Sequence, residues 1–406
     1  MAKIFPFRAY RYSARAGDPA RLLTQPYDKI SPQMQERYFS LSPFNVAHII
    51  KNGEYTRAAA SLREWIDGGI LELEEQPAFF VYFQRFVAPD GGPERLRKGL
   101  IGLGAVEDYS QGNVFRHELT HTGPKRDRLE LLRQTRAHCE QLFMLYDDPS
   151  GAVEARLDHA AQDPPLLEVE DEYGAGHCLW RISKAAEVQA IQRLMAPRKL
   201  LIADGHHRYE TALAFRDENP GVEAAARVPM TFVNLRSTGL VILPTHRVVG
   251  GLADFEPEGV LQRAAEMFHV EQSPSLDALR ERLERAPPGA ARLGGVFRGD
   301  RRVFTFESRL PAGRPDAALL HDDLLAKALG LSAEAVREER HIRYVRGFHE
   351  AARAIQDADS QAVFFLRPPR VEQIAEVAFS GGVMPQKSTD FYPKMLSGLT
   401  IYRIDD

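Results

Sequence analysis

Apolar positions fall into short continuous runs and longer helical stripes. Ala78 to Phe86 is almost wholly apolar and Leu100 to Val106 repeats the pattern, which predicts two strands joined across Pro89-Asp90-Gly91-Gly92-Pro93. Leu142 to Tyr146, Lys199 to Ala203, Ala362 to Leu366 and Leu399 to Ile404 read as further strands. Arg227 to Leu235 and Gly239 to Leu243 read as a pair, and a hairpin is predicted to turn at Gly299-Asp300. Helices are predicted from the Ser31-Pro32 cap to about Phe39, from Thr56 to Gly68-Gly69, through Leu129 and Leu132, and over Tyr209 to Phe215. Two more fall between Gly250 and Ala291, one over Asp322 to Leu329 and one over Val371 to Phe379, with Pro287-Pro288-Gly289 as a break. Gly151 to Glu172 reads as a linker or exposed excursion.

This mixture, without an internal repeat, predicts an α+β protein with mixed sheets and helices. Three regions are expected: 1–150 as an N-terminal α+β region, 166–250 as a core built on a strand-turn-helix, and 251–406 as a C-terminal α+β region whose basic loop returns to the site.

Composition narrows the class. With 406 residues, 44% hydrophobic and 27% charged, the chain reads as an ordinary soluble protein. A net charge of −4 gives no electrostatic footprint for nucleic acid, and no nucleic-acid partner is expected. The N-terminus lacks the apolar stretch of a signal peptide and no run approaches the ~20 residues of a membrane span, so a cytoplasmic location and no membrane partner are expected. The two cysteines, Cys139 and Cys178, read as reduced core thiols.

Chemistry concentrates in four places. After the Lys199 to Ala203 strand, Asp204-Gly205-His206-His207-Arg208 puts a carboxylate, two imidazoles and a guanidinium at a helix start, where backbone N–H groups and a partial positive charge favour an anion such as phosphate. The second place holds His117 and Glu118, followed by Lys125, Asp127 and Arg128. There Glu118 could accept a proton and Lys125 or Arg128 bind an anionic substrate group, although a solvated charged loop reads equally from the pattern. Third, Thr245-His246-Arg247 ends an apolar strand, where side chains commonly meet a ligand. Fourth, Lys387, Ser388, Thr389 and Lys394 give the Gly- and Pro-flanked loop near the C-terminus the composition of an anion-binding loop. No Walker spacing, G-x-G-x-x-G fingerprint or G-x-S-x-G elbow is present. Asp204 or Glu118 could hold Mg²⁺ together with substrate phosphates, whereas a zinc cage lacks its ligand spacing.

Gln25-Pro26-Tyr27-Asp28, Ser42-Pro43-Phe44-Asn45, His117 to Thr120 with Lys125 to Arg128, Ala203 to Tyr209, Leu243 to Arg247, and Met384 to Lys394 with Ser397-Gly398 together resemble the domain of unknown function 1015 family across nearly the whole chain. A shorter likeness, confined to Asp204-Gly205-His206-His207-Arg208, resembles the nucleotide-binding signature of the ParB/sulfiredoxin superfamily, whose free-serine kinases carry a D-G-H-x-R turn beside the nucleotide phosphates. The sulfiredoxin cysteine is absent, which disfavours peroxiredoxin repair.

That resemblance implies a ParB/sulfiredoxin-like core and a phosphotransferase that uses ATP or ADP with Mg²⁺ on a small hydroxylated metabolite, free L-serine first. Expected roles are catalysis by Glu118, Asp204, His206 and His207, with Asp204 also toward the metal. Gly205, Arg208, Lys387, Ser388, Thr389 and Lys394 are expected on phosphates, and Lys125, Arg128, His246 and Arg247 on substrate. A phosphatase acting on phosphoserine and a nucleotide-responsive regulator are the alternatives, and the oligomeric state is open.

Overall fold

Backbone pairing in the computed structural model, which describes residues 2–118, 122–287, 290–309, 314–385 and 387–405, divides the chain into two units. The run 119–121, the Pro288-Gly289 break and Gln386 lie outside the described residues. The first unit comprises Met1–Arg116, Thr120–Val241 and Pro393–Asp406; the second comprises His117–Leu119 and Ile242–Tyr392.

Nine strands form the sheet of the first unit: β1 (Ile4–Phe5), β2 (Phe79–Phe86), β3 (Arg95–Ala105), β4 (Val114–Phe115), β5 (Leu142–Tyr146), β6 (Leu167–Glu170), β7 (Gly176–Ile182), β8 (Leu200–Asp204) and β9 (Arg227–Asn234). Their order is β4-β8-β5-β9-β3-β2-β7-β6, with β1 on β3. β8 runs parallel to β4 and antiparallel to β5, and β9 runs parallel to β5 and antiparallel to β3, so the sheet is mixed and the fold α+β. The predicted β2/β3 hairpin is present. Gly102 and Gly104 serve packing there, since a Cβ on Gly102 would stand 2.6 Å from the Phe79 ring.

Helices α1 (Pro32–Leu41), α2 (Tyr55–Asp67), α3 (Thr122–Thr135), α4 (Ala152–Ala160), α5 (Ala185–Met195) and α6 (His206–Glu218) belong to the same unit. Ser31 caps α1 by accepting the Met34 N–H at 3.2 Å, as its Ser-Pro start predicts. α3 packs against α2 and α6. Val153 and Leu157 of α4, Val188 and Ile191 of α5, and Tyr209 and Ala212 of α6 enter the core of the sheet.

The segment expected as a linker, 151–172, instead contains α4 and β6. Its prolines and most of its acidic residues are surface positions, whereas Val153, Leu157 and the Asp171 carboxylate, 3.2 Å from His177 Nε2, anchor it. β9 pairs with β3 and β5 rather than with the run after Gly239. That run keeps only Val241–Ile242 as strand.

The second unit holds a six-stranded sheet of β10 (Thr245–Gly250), β11 (Phe268–Ser273), β12 (Arg292–Phe297), β13 (Val303–Ser308), β14 (Ile342–Arg346) and β15 (Ser360–Phe365), in the order β11-β13-β12-β15-β10-β14. All its pairings are antiparallel. The two helices predicted between 250 and 291 occur as α7 (Pro257–Ala264) and α8 (Leu276–Glu284), with β11 between them. Its Phe-His-Val-Glu-Gln-Ser sequence buries only its two end residues and carries no continuous apolar run. α9 (Phe348–Ala354) and α10 (Val371–Phe379) complete the labelled helices, α10 over the predicted residues. The helix expected at Asp322 is a wide-turned Leu320–Ala328, closed by the Leu329 N–H on the Leu324 carbonyl at 2.9 Å.

Candidate functional site

In the first unit the site grows from the end of β8. The register of β8 against β5 shifts between Ile202 and Asp204, a bulge that re-aims the Asp204 side chain at the sheet end. Gly205 follows in a left-handed conformation, φ +96°, and α6 starts with no side chain capping it. Glycine is required twice over: a Cβ there would lie 2.9 Å from Leu142 Cδ2 and 3.0 Å from Arg208 Nη2. Arg208 Nη1 donates to the Gln141 carbonyl at 2.5 Å, and its Nη2 stands 4.0 Å from Asp204 Oδ2. His206 is buried and His207 half-buried on the first turn of α6.

Lys394 completes the cluster from the far end of the sequence, its Nζ 3.3 Å from Asp204 Oδ2. Its backbone is held by two strand residues. Gln84 of β2 donates Nε2 to the Lys394 carbonyl at 2.9 Å, and Arg97 of β3 donates Nη2 to the Pro393 carbonyl and Nε to Gln84 Oε1 at 2.9 Å. Arg97 is 1% exposed and stacks 4.9 Å from the Phe143 ring centre; burial pushes its guanidinium down to about 10.

Burial alone would raise the Asp204 carboxyl, but Lys394, Arg208 and Lys29 outweigh it and hold the group well below the usual carboxylate range. Burial likewise opposes the Arg208 charge, and Glu140, Asp204 and Asp28 outweigh it, so Arg208 is held above its ordinary value. Asp28 and Lys29 carried no role in the sequence reading, although Asp28 lies in the quoted Gln-Pro-Tyr-Asp motif. An exposed acidic-basic pair gives no periodic signal.

Two expected substrate cations of this unit are already engaged. Lys125 pairs with Glu210, which also accepts from Arg116 Nη1 at 3.1 Å. Arg128 pairs with Asp127 at 2.5 Å, donates to the Ile50 carbonyl at 2.7 Å and covers the Tyr27 ring at 4.2 Å.

Asp204 is the residue expected toward Mg²⁺ held together with substrate phosphates. Its carboxylate faces two cations, and among the described residues no three His, Cys, Asp or Glu side chains gather to hold a metal. The turn suits an anion.

The second unit collects the remaining predicted residues. Glu118 Oε1 accepts the Ser388 N–H at 3.1 Å and the Thr389 hydroxyl at 3.3 Å, and His117 Nε2 lies 2.8 Å from Thr389 Oγ1. Lys387 takes φ +54°, and its carbonyl accepts from Arg247 Nη2 at 3.2 Å. Arg247 lies over the Tyr344 ring at 5.0 Å, and burial pushes it down to about 10. Successive strand residues face opposite sides, so His246 leaves Arg247 and packs with Phe348 and Phe365, accepting the Leu366 N–H on Nδ1 at 3.2 Å. His246 and Arg247, both expected on substrate, thus face opposite sides of β10.

Among the described residues no helix is long and apolar enough to cross a membrane. No curated protein matches the chain. Among solved structures it is similar to a free serine kinase in complex with AMP, at 16% identity over 69% of this chain and 83% of that one, TM-score 0.38. It is also similar to a conserved hypothetical protein from Pyrococcus furiosus, at 15% identity over 72% and 93%, TM-score 0.38. SbnI with C-terminal truncation from Staphylococcus aureus aligns at 14% identity over 73% and 85%, TM-score 0.36. Residues 4–317 match the family described as Protein of unknown function (DUF1015), and the chain belongs to that family.

Proposed function

We propose that the first unit binds the phosphates of a nucleotide, ATP or ADP, at the start of α6, and that the protein is a nucleotide-dependent phosphotransferase acting on a small hydroxylated metabolite. The observation that carries this is the D-G-H-x-R turn itself, a left-handed Gly205 opening an uncapped thirteen-residue helix with Arg208 and Lys394 both facing Asp204 Oδ2, at 4.0 and 3.3 Å. A helix start of this kind receives anionic oxygens, and adjacent cations neutralise the charge that develops during phosphoryl transfer.

In this reading Gly205 lets the phosphate approach the backbone, Arg208 and Lys394 bind it, and Asp204 holds both cations in place. His206 and His207 supply donors on the first turn. Free L-serine is the acceptor implied by the resemblance of Asp204 to Arg208 to the free-serine-kinase turn.

Thermal unfolding with AMP, ADP and ATP tests the reading. A ligand that binds only the folded chain stabilises it by about 2.7 kcal/mol at a hundredfold excess over Kd. The nucleotide should raise Tm for the unaltered chain and fail to do so for Arg208→Ala. An unchanged Tm with all three nucleotides would count against it.

A further inference from the structure

We propose that Asp28 is the catalytic carboxylate of the first unit, the group that takes the proton from the hydroxyl receiving the phosphate. This rests on the phosphotransfer reading above and adds the residue that the turn itself lacks.

Residues 140 to 142 form a strip on which two turns are fixed. Glu140 Oε1 accepts the Tyr27 N–H at 3.0 Å, Gln141 gives its carbonyl to Arg208, and Leu142 lies where Gly205 has no Cβ. The Tyr27–Lys29 turn is pinned again by Lys51 Nζ on the Tyr27 carbonyl at 3.0 Å and by the Arg128 guanidinium over the Tyr27 ring. With Tyr27 buried, its successor Asp28 keeps 42% of its side chain in solvent, with Lys29 Nζ 4.0 Å away. The charges of the two turns act on each other, Lys29 on Asp204 and Asp28 on Arg208.

The other carboxylates beside the turn are committed. Glu140 is 8% exposed and accepts the Tyr27 N–H and, at 3.3 Å, the Ser397 hydroxyl. Asp204 faces Lys394 and Arg208, and Glu210 binds Arg116 and Lys125. Among the described carboxylates that act on the turn, Asp28 combines solvent access with an electrostatic reach to Arg208. As the acceptor oxygen forms its bond to phosphorus, its proton passes to an Asp28 oxygen. The bond from phosphorus to the bridging oxygen breaks, and the electron pair leaves with the nucleotide.

The test uses the full chain and three variants, Asp28→Asn, Asp28→Glu and Glu118→Gln, with phosphate from ATP or ADP followed into L-serine or water. Asp28→Asn should keep the nucleotide-induced rise in Tm and lower kcat by roughly 10²- to 10⁴-fold with KM for nucleotide little changed. Asp28→Glu should recover part of the rate. Nucleotide binding with full turnover in Asp28→Asn overturns this inference alone, as does loss of turnover in Glu118→Gln but not in Asp28→Asn. Binding without transfer to serine or water by the unaltered chain also overturns it. Absence of nucleotide binding by the unaltered chain removes the phosphotransfer reading itself, and this inference with it.

Discussion

Lys394 Nζ lies 3.3 Å from Asp204 Oδ2, although 190 positions of sequence separate the two residues. The contact does not depend on the lysine side chain finding its own way, because Gln84 and Arg97 hold the backbone on which it is carried. Removing the ammonium leaves Asp204 facing Arg208 alone at short range. Lys394→Met should weaken nucleotide affinity by at least tenfold and destabilise the first unit by about 1–2 kcal/mol, the scale of losing a charged partner at a partly exposed site. Isothermal titration with ADP and urea unfolding read the two effects separately. An unchanged Kd would remove Lys394 from the phosphate site.

Arg97 acts one step further back. Arg97→Met leaves Gln84 Oε1 and the Pro393 carbonyl without their buried donor, at about 1–3 kcal/mol for each group left unsatisfied. The variant should lower stability more than Lys394→Met while affecting nucleotide affinity in the same direction. Urea midpoints in the opposite order would show that the clamp is dispensable.

At Gly205 the backbone itself is the constraint. Gly205→Ala must place a Cβ in a left-handed conformation, at about 1–2 kcal/mol, and against Leu142 and Arg208 as well. We expect a folded protein with a Tm several degrees lower and nucleotide binding reduced more than tenfold. Tm and Kd unaffected by the methyl group would mean that the turn relaxes freely.

Part of the pH dependence of stability should follow His246 and His321 in the second unit. Burial pushes His246 down to about 3, with Arg247 adding to it, and His321 likewise to about 3. A histidine of depressed pKa is protonated more readily in the unfolded chain, so stability is full above about 6.5 and falls as pH drops from 6.5 toward 3. For His246, 1% exposed, the loss by pH 5 is about 2 kcal/mol. Urea midpoints at pH 7 and pH 5 should differ accordingly, and His246→Phe should flatten the difference. A slope unaffected by that substitution would rule out His246 as its source.

Much of the Asp204 to Arg208 turn is legible in the sequence because its signals are local. An Asp-Gly pair after an apolar run announces both the strand end and the left-handed residue, and a basic residue at Arg208 follows on the same helix turn. The supports are less legible because they lie far away in sequence and look like ordinary strand residues. Gln84 stands next to Arg85 in β2, and Arg97 lies in the Arg95-Leu96-Arg97-Lys98 run that opens β3, a composition shared with any solvent-facing strand end, yet both are buried. Within β10, the sequence places His246 beside Arg247, while the two-residue alternation of a strand turns them to opposite faces. Strand β11 and the 151–172 segment escape the reading for a related reason: their buried positions are too few for a period to stand out.

The second unit interrupts the first between Val241 and Pro393, so Asp204, Gly205 and Arg208 leave the ribosome long before Lys394. At about 5–20 residues per second, the intervening synthesis takes roughly 10–40 s. During that interval the nascent turn lacks one of its cations, together with the Pro393 backbone that Arg97 is shaped to hold. The proposed phosphate site is therefore complete only after the whole second unit has been made, and any stall within that unit leaves a chain with Asp204 made but its lysine partner still unborn.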